Sequence, residues 1–120
     1  MISNTTRKTT IATIVTIAQN PRERMKGLLG RDDLAPGECL VITNCQSIHM
    51  FFMKFPLDVI FCDRHHEVVG LCENIKPFFL SPVFFKASYA IELPVGSIQT
   101  SATRIGDKIV LPLTSPNTML

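Results

Sequence analysis

Apolar residues in this chain come in short runs separated by polar, Pro or Gly breaks, and the runs predict mostly strands. KTTIATIVTIA (8–18), rich in Thr, Ile and Val, reads as a first strand. Asn20-Pro21 ends it and opens a short helix near residues 21–30. Asn is a favoured N-cap, Pro fits the first helical position, and Glu23 lies where a capping box needs it. RERMKGLLG then places Met25, Leu28 and Leu29 on one face, and Gly30 is a natural stop. A Pro-Gly loop (31–38) precedes the apolar run CLVIT (39–43), suited to a buried strand. Ile48 to Lys54 reads as extended, ended by Phe55-Pro56 because Pro cannot donate to a central ladder.

The clearest hairpin is LDVIFC (57–62) and EVVGLC (67–72) around Asp63-Arg64-His65-His66. Residues 74–88 hold Phe78, Phe79, Phe84 and Phe85 without periodicity, and read as an irregular, partly buried crossing loop. YAIEL (89–93) is a strand stopped by Pro94, residues 95–104 hold a helical turn capped by Ser97 or Gly96, Gly106-Asp107 is a turn, and KIVLPL (108–113) is the last strand. Strands this closely spaced leave no room for crossover helices. They predict an all-β, mainly antiparallel fold, a compact β-sandwich or partly closed barrel of about seven short strands with one short helix. A single β domain over 1–113 and a frayed tail over 114–120 are expected.

Composition narrows the classes. A chain of 120 residues, 46% hydrophobic and 18% charged, is globular and long enough for one core. The net charge of +2 and scattered Lys and Arg argue against a nucleic-acid surface. Cys39, Cys45, Cys62 and Cys72 form no CxxC pair, and a chain of this size needs no disulfides, so reduced thiols are expected. Thr residues interrupt the apolar N-terminal stretch, which favours a strand over a signal peptide, and no run is long enough for a membrane span. The chain reads as soluble and cytoplasmic, a monomer or weak dimer.

Five motifs then occur in order: VTIAQNPRERMKGLLGR, CQSIHMFFMKFPLDVIFCD, ENIKPF, IELPVGS and IGDKIV. In order and spacing they resemble the small bacterial and archaeal family called domain of unknown function 192, or uncharacterised protein family 0127, over about residues 13–111. The resemblance implies a β-rich domain of barrel or sandwich type, with VTIA as its opening strand. It implies no activity, because the family has none established. Leu29 stands where the family often carries Met, and Phe78 where Trp is frequent.

Candidate chemistry centres on Cys45 to Asp63, where isolated polar groups sit among phenylalanines. His49 suits a general base or ligand near neutral pH, or a histidine satisfied at a sheet edge. Strand alternation sets His49, Phe51 and Met53 on one face. Cys45 and His49 are about 13 Å apart if extended, too far for one ion, and adjacent His65 and His66 diverge, so no metal or other cofactor is expected. Asp58 opens an apolar strand, where a bare carboxylate is costly. It serves either as an acceptor capping the Phe55-Pro56-Leu57 turn or as a pocket-facing acid, with Lys54 as charge partner. Glu92 alternates with Ile91 and Leu93 and so points to solvent or a groove. Convergence of Glu92 with Asp58 would make a paired-carboxylate site. Arg22 and Arg24 read as solvated, although the matched helix motif makes Arg24 a candidate anchor for one of these carboxylates. Pro56, Gly96, Gly106 and Asp107 read as structural.

No GxSxG, P-loop, dinucleotide fingerprint or HExxH is present. The favoured expectation is a ligand- or partner-binding accessory module with a groove around residues 49–58, contacting it through His49, Lys54, Asp58 and Glu92. The ligand is left open as a small molecule or a protein. One alternative is a small hydrolytic enzyme using Asp58 and Glu92 as acid and base, with His49 assisting. Another is an interaction module built on the Phe-rich 77–86 loop, which a large exposed patch there would favour.

Overall fold

The computed structural model describes residues 1–28, 31–51 and 53–112. The elements follow as β1 (Ile2–Asn4), β2 (Thr9–Ala12), β3 (Ile14–Ala18), α1 (Pro21–Leu28), β4 (Glu38–Thr43), β5 (Leu57–Cys62), β6 (Val68–Ile75), β7 (Tyr89–Leu93), α2 (Ser97–Ser101) and β8 (Ile109–Val110). They build a five-stranded sheet, β3-β4-β7-β5-β6, and a three-stranded sheet, β2-β1-β8.

Every residue of β5 and β7 is buried, Asp58 and Glu92 included, as befits the middle of a sheet covered on both faces. On one face Leu40, Ile42, Val59, Phe61 and Ala90 pack under Leu28 of α1 and under Ile48, Met50, Met53 and Phe55. On the other, Val41, Ile60, Ile91 and Leu93 pack against Ile2, Ile11 and Ile109 of the small sheet and Ile98 of α2. The architecture is mainly β and layered, and neither sheet closes into a barrel.

Three expectations need correction. The large sheet is mixed, because β3 and β4 pair in parallel. Residues 19–37, with α1 among them, supply the crossover that parallel neighbours need. The stretch 8–18 is two strands in different sheets. The chain turns at Thr13, where the amides of Thr13 and Ile14 both donate to the Gly37 carbonyl at 2.9 Å. Gly37 sits at φ 87°, and a Cβ there would lie 2.9 Å from the Thr13 hydroxyl oxygen.

Segment 48–54, lastly, joins neither sheet. It crosses over one face and pairs with the 78–81 segment through an isolated His49–Leu80 bridge. Its apolar positions 48, 50, 53 and 55 do not alternate, and all four side chains go into the core. The first strand, β1, lacks an apolar run of its own and escaped the pattern, and the final strand is only two residues long.

The 57–72 hairpin forms, but its second strand runs on to Ile75, past the expected end at Cys72 and into the stretch read as a loop. β5 and β6 pair antiparallel, and the Asp63 carboxylate accepts the amides of His65 at 2.8 Å and Glu67 at 3.0 Å in the connection. The helix start also follows its signal. Asn20 Oδ1 accepts the Glu23 amide at 2.9 Å, and Glu23 Oε1 accepts the Gln19 amide at 3.0 Å. Leu29, Gly30, Phe52 and the tail expected over 114–120 lie outside the described residues.

Candidate functional site

Glu92 lies on β7 directly opposite Val59 of β5 and faces the α1 side of the large sheet. It is fully buried, not turned to solvent or a groove. Its partner is Arg24 of α1, itself only 3% exposed, which corrects the solvated reading of that residue. Arg24 Nε donates to Glu92 Oε1 at 2.9 Å and Oε2 at 3.0 Å, and Nη2 donates to Oε2 at 2.6 Å. Arg24 Nη1 also donates to the His49 carbonyl at 3.0 Å. Burial pushes the Glu92 carboxyl above its usual range, while the Arg24 hydrogen bonds and charge pull the other way. The arrangement clamps α1 and the 48–50 crossing to the middle of the sheet.

His49 therefore meets Arg24 through its backbone carbonyl. Its imidazole stacks on Phe51 with ring centroids 5.3 Å apart, and its buried Nδ1 has no hydrogen-bond partner among the described residues. Asp58 lies on the opposite side of the same sheet, across from Leu93. Adjacent strand positions point to opposite faces, so Asp58 and Glu92 are kept apart by the thickness of the sheet. Asp58 Oδ1 accepts the Asn74 amide at 2.9 Å, and Oδ2 accepts those of Gly96 at 3.1 Å and Ile98 at 3.0 Å. It caps the start of α2 and the irregular end of β6, not the Phe55-Pro56-Leu57 turn. Neither carboxylate is free to exchange a proton with a substrate.

The remaining candidates scatter. Lys54 is exposed, and none of the ion pairs among the described residues includes it. Pro56 is half-buried beside the core residue Phe55. Gly96 at φ 98° forms the N-cap of α2, and Gly106 at φ 91° donates its amide to the Val68 carbonyl at 2.8 Å. Asp107 Oδ2 accepts from Asn4 Nδ2 at 2.9 Å and Arg7 Nε at 3.0 Å, tying β1 to the turn before β8. Burial alone would raise the Asp107 carboxyl, but the hydrogen bonds from Asn4 and Arg7 outweigh it and hold the group below its usual range. His65 is exposed, and His66 Nδ1 lies 2.8 Å from the Tyr89 hydroxyl. No cluster of His, Cys, Asp or Glu among the described residues offers three metal ligands. The four thiols are unbridged, with those of Cys39 and Cys62 pushed up to about 12 by burial, which leaves them inert as nucleophiles near neutral pH.

Two surface features remain. One is a cleft of about 660 Å³ between the start of α1, the end of β4 and residues 87–88, lined by Asn20, Asn44, Cys45, Gln46 and Ser47 among others. It adjoins the 49–58 segment without including it. The other is the segment from Phe78 to Phe85. Phe78, Phe79, Leu80, Val83 and Phe85 are 67%, 61%, 65%, 50% and 81% exposed, so the expectation of a partly buried loop holds for Phe84 and fails for these five.

The segment is nevertheless pinned. Phe78 and Ser81 amides donate to the carbonyls of Met50 at 2.7 Å and Ile48 at 2.9 Å. The Met50 amide donates to the Phe79 carbonyl at 2.8 Å, and the Phe84 amide to Gln46 at 2.8 Å. Phe84 turns inward onto Phe61, with ring centroids 4.6 Å apart, and covers Gly70 so closely that a Cβ there would lie 2.5 Å from its ring.

With this geometry in hand, a family model described as "Uncharacterized ACR", domain of unknown function 192, matches residues 2–111. The chain belongs to this family. Among its members, a UPF0127 protein of Pyrococcus abyssi is 34% identical over 101 residues, which cover 79% of this chain and 83% of that protein. A UPF0127 protein of Thermococcus sibiricus is 46% identical over 63 residues, only 40% of its own length. The match to this relative covers 52% of this chain and less than half of the relative's own length. The fold is shared with a Novosphingobium aromaticivorans protein of unknown function, with a TM-score of 0.70, 22% identity and coverage of 81% of this chain and 74% of that one. It is shared also with a Sinorhizobium meliloti protein provisionally named a transcription regulator, with a TM-score of 0.68, 23% identity and coverage of 80% and 79%. At these identities the likeness concerns the fold alone.

For this family member, reasoning on the sequence ranked the outward display of the Phe segment as an alternative behind a partly buried loop, and missed the anchoring of Phe84. Gly70 inside a strand was the available signal, since a strand glycine often marks a close approach. The burial of Arg24 was also readable, because it precedes Leu28 by four residues and so shares its helix face.

Proposed function

We propose that the chain is a binding module that docks on another surface through the Phe-rich segment 77–86. The observation that carries this reading is the group of five large apolar side chains between Phe78 and Phe85, each at least half exposed. Isolated exposed apolar residues are ordinary on protein surfaces, but a contiguous set is not. Full burial of each would contribute about 1.5–3 kcal/mol. The backbone beneath them is already hydrogen-bonded to residues 46–50, so little ordering entropy is left to oppose docking. The hydrolytic alternative draws no support from the carboxylates. Asp58 is saturated by backbone amides and Glu92 by Arg24, on opposite faces of the sheet.

The test is site-directed photocrosslinking in cells. A photoreactive benzoylphenylalanine at Phe79 or Phe85 should give a discrete adduct. The same probe at Ile105, equally exposed but beside the small sheet, should not. Identical adduct patterns at all three positions, or no adduct to either protein or lipid at any of them, would overturn the docking reading.

The cleft beside Cys45 supports a second reading, a small polar ligand held by Asn44, Gln46 and Ser47. Its volume of about 660 Å³ lies in the range of small-molecule sites. A thermal-shift screen against sugars, nucleotides and peptides tests it, with Asn44→Ala and Gln46→Ala expected to abolish any shift. Unbridged cysteines accord with the cytoplasmic setting expected from the sequence.

A further inference from the structure

The charge around the exposed Phe segment narrows what it docks on. Residues 44–57 and 74–91, the two stretches that interlock to form this face, contain Lys54, Lys76 and Lys86, and all three are exposed. They contain no Asp, no Glu and no Arg. All ten acidic residues of the chain lie elsewhere. Stretches that expose apolar side chains and lysines and carry no acid of their own fit a surface that is apolar within and anionic outside.

We propose that this face docks on an anionic lipid surface, with Phe78, Phe79, Leu80, Val83 and Phe85 entering the headgroup–acyl boundary and the three lysines meeting lipid phosphates. The inference rests on the docking reading above and names its partner. Three features favour lipid over an acidic protein. The exposed side chains are Phe, Leu and Val, which carry no polar handle, whereas the hot spots of protein interfaces are enriched in Trp, Tyr and Arg. The chain has no Trp, and its single Tyr, Tyr89, is buried in the core. Its cations here are all Lys, compact charges on flexible stems that reach headgroups without fixed geometry, while planar recognition of a partner's carboxylates calls on Arg.

The segment adds no membrane span, and no helix among the described residues is long and apolar enough to cross a bilayer. The attachment is peripheral: apolar side chains supply part of the binding, and lysines attracted to the negative surface supply the rest. Phe51, 41% exposed and next to the Met50 carbonyl that receives the Phe78 amide, extends the same apolar face.

The experiment is co-sedimentation of the full chain with vesicles of phosphatidylcholine alone or of phosphatidylcholine and phosphatidylglycerol in equal parts. The chain should pellet with the anionic vesicles, release progressively as salt rises, and bind the neutral ones far more weakly. Phe79→Ser with Phe85→Ser should cut anionic binding at least tenfold while leaving the melting temperature unchanged, since both side chains are exposed. Lys76→Gln with Lys86→Gln should lower it roughly fivefold per lysine and remove most of the preference for phosphatidylglycerol. Failure to bind anionic vesicles, or binding indifferent to both double variants, overturns the lipid proposal. A protein adduct at Phe79 in the crosslinking experiment, together with no vesicle binding, would sink the lipid partner and leave docking standing. Absence of both would remove docking as well.

Discussion

Arg24→Met isolates the internal ion pair that fixes α1 to the sheet. It removes three contacts to the Glu92 carboxylate, at 2.9, 3.0 and 2.6 Å, and a fourth to the His49 carbonyl at 3.0 Å. Glu92 is 0% exposed, so water cannot replace the lost donors without rearrangement. Breaking one side of such a pair costs about 3–5 kcal/mol. For 120 residues the whole stability is about 6–18 kcal/mol, so the loss is a large share of it.

The cost also depends on pH. Burial already raises the Glu92 carboxyl above 4.5, and without Arg24 the opposing pull disappears, so it rises further. An acid whose folded pKa exceeds its unfolded one contributes fully below the unfolded value, and the contribution is lost as pH climbs through the folded one. The variant is therefore expected to lose less stability near pH 5 than near pH 8. Urea unfolding followed by far-ultraviolet circular dichroism, read as a midpoint shift at constant slope, measures both values. Arg24→Met combined with Glu92→Leu should recover most of the deficit, because only the His49 carbonyl is then left without its donor. A single-variant loss below about 1 kcal/mol at pH 8, or equal losses at both pH values, would refute the reasoning.

Other outcomes follow from the same geometry. Asp58→Ala orphans three amides at the start of α2 and the end of β6, and should cost about 3 kcal/mol or more in urea unfolding, with Asp58→Asn costing less because one acceptor oxygen remains. Gly70→Ala places a Cβ 2.5 Å from the Phe84 ring, so it should lift Phe84 off Phe61 at a cost of about 1–3 kcal/mol and speed hydrogen exchange at the Phe84 amide. Asp107 is held below 3.8, so its contribution is present above that value and lost as pH falls through its folded pKa. Asp107→Asn should flatten the acid limb of the stability curve below about pH 4.

Much of the core was legible because it obeys simple periods. Buried strands β4, β5 and β7 are short, predominantly apolar runs, and the 57–72 hairpin has an Asp whose carboxylate folds the connection. Elements that depend on distant partners were not. β1 is ISN, with no apolar alternation, and exists because it lies between β2 and β8 and its buried Asn4 reaches Asp107. The parallel β3–β4 pair requires knowing that α1 is a crossover and not an end cap. The 48–54 segment looked extended because it is apolar, yet its side chains fill the layer above the sheet instead of adding to its edge.

The site candidates failed for a related reason. A lone carboxylate in an apolar strand is ambiguous between chemistry and structure until its acceptors are counted, and the count depends on what packs above each face. Asp58 and Glu92 sit in neighbouring strands and nearly in register, yet pairing of Asp58 with Leu93 and of Val59 with Glu92 sends one to each layer. Each then meets donors placed for it: amides at the start of α2 for Asp58, a guanidinium from α1 for Glu92. The two carboxylates that drew attention in the sequence are consumed inside the molecule, holding its two helices to one sheet. The apolar ones, taken at first for core, divide. Phe61 and Phe84 close the core, while Phe78, Phe79 and Phe85 are turned outward on a backbone bonded too firmly to residues 46–50 to fold them back in. That inversion moves the argument for function from the carboxylates to the phenylalanines.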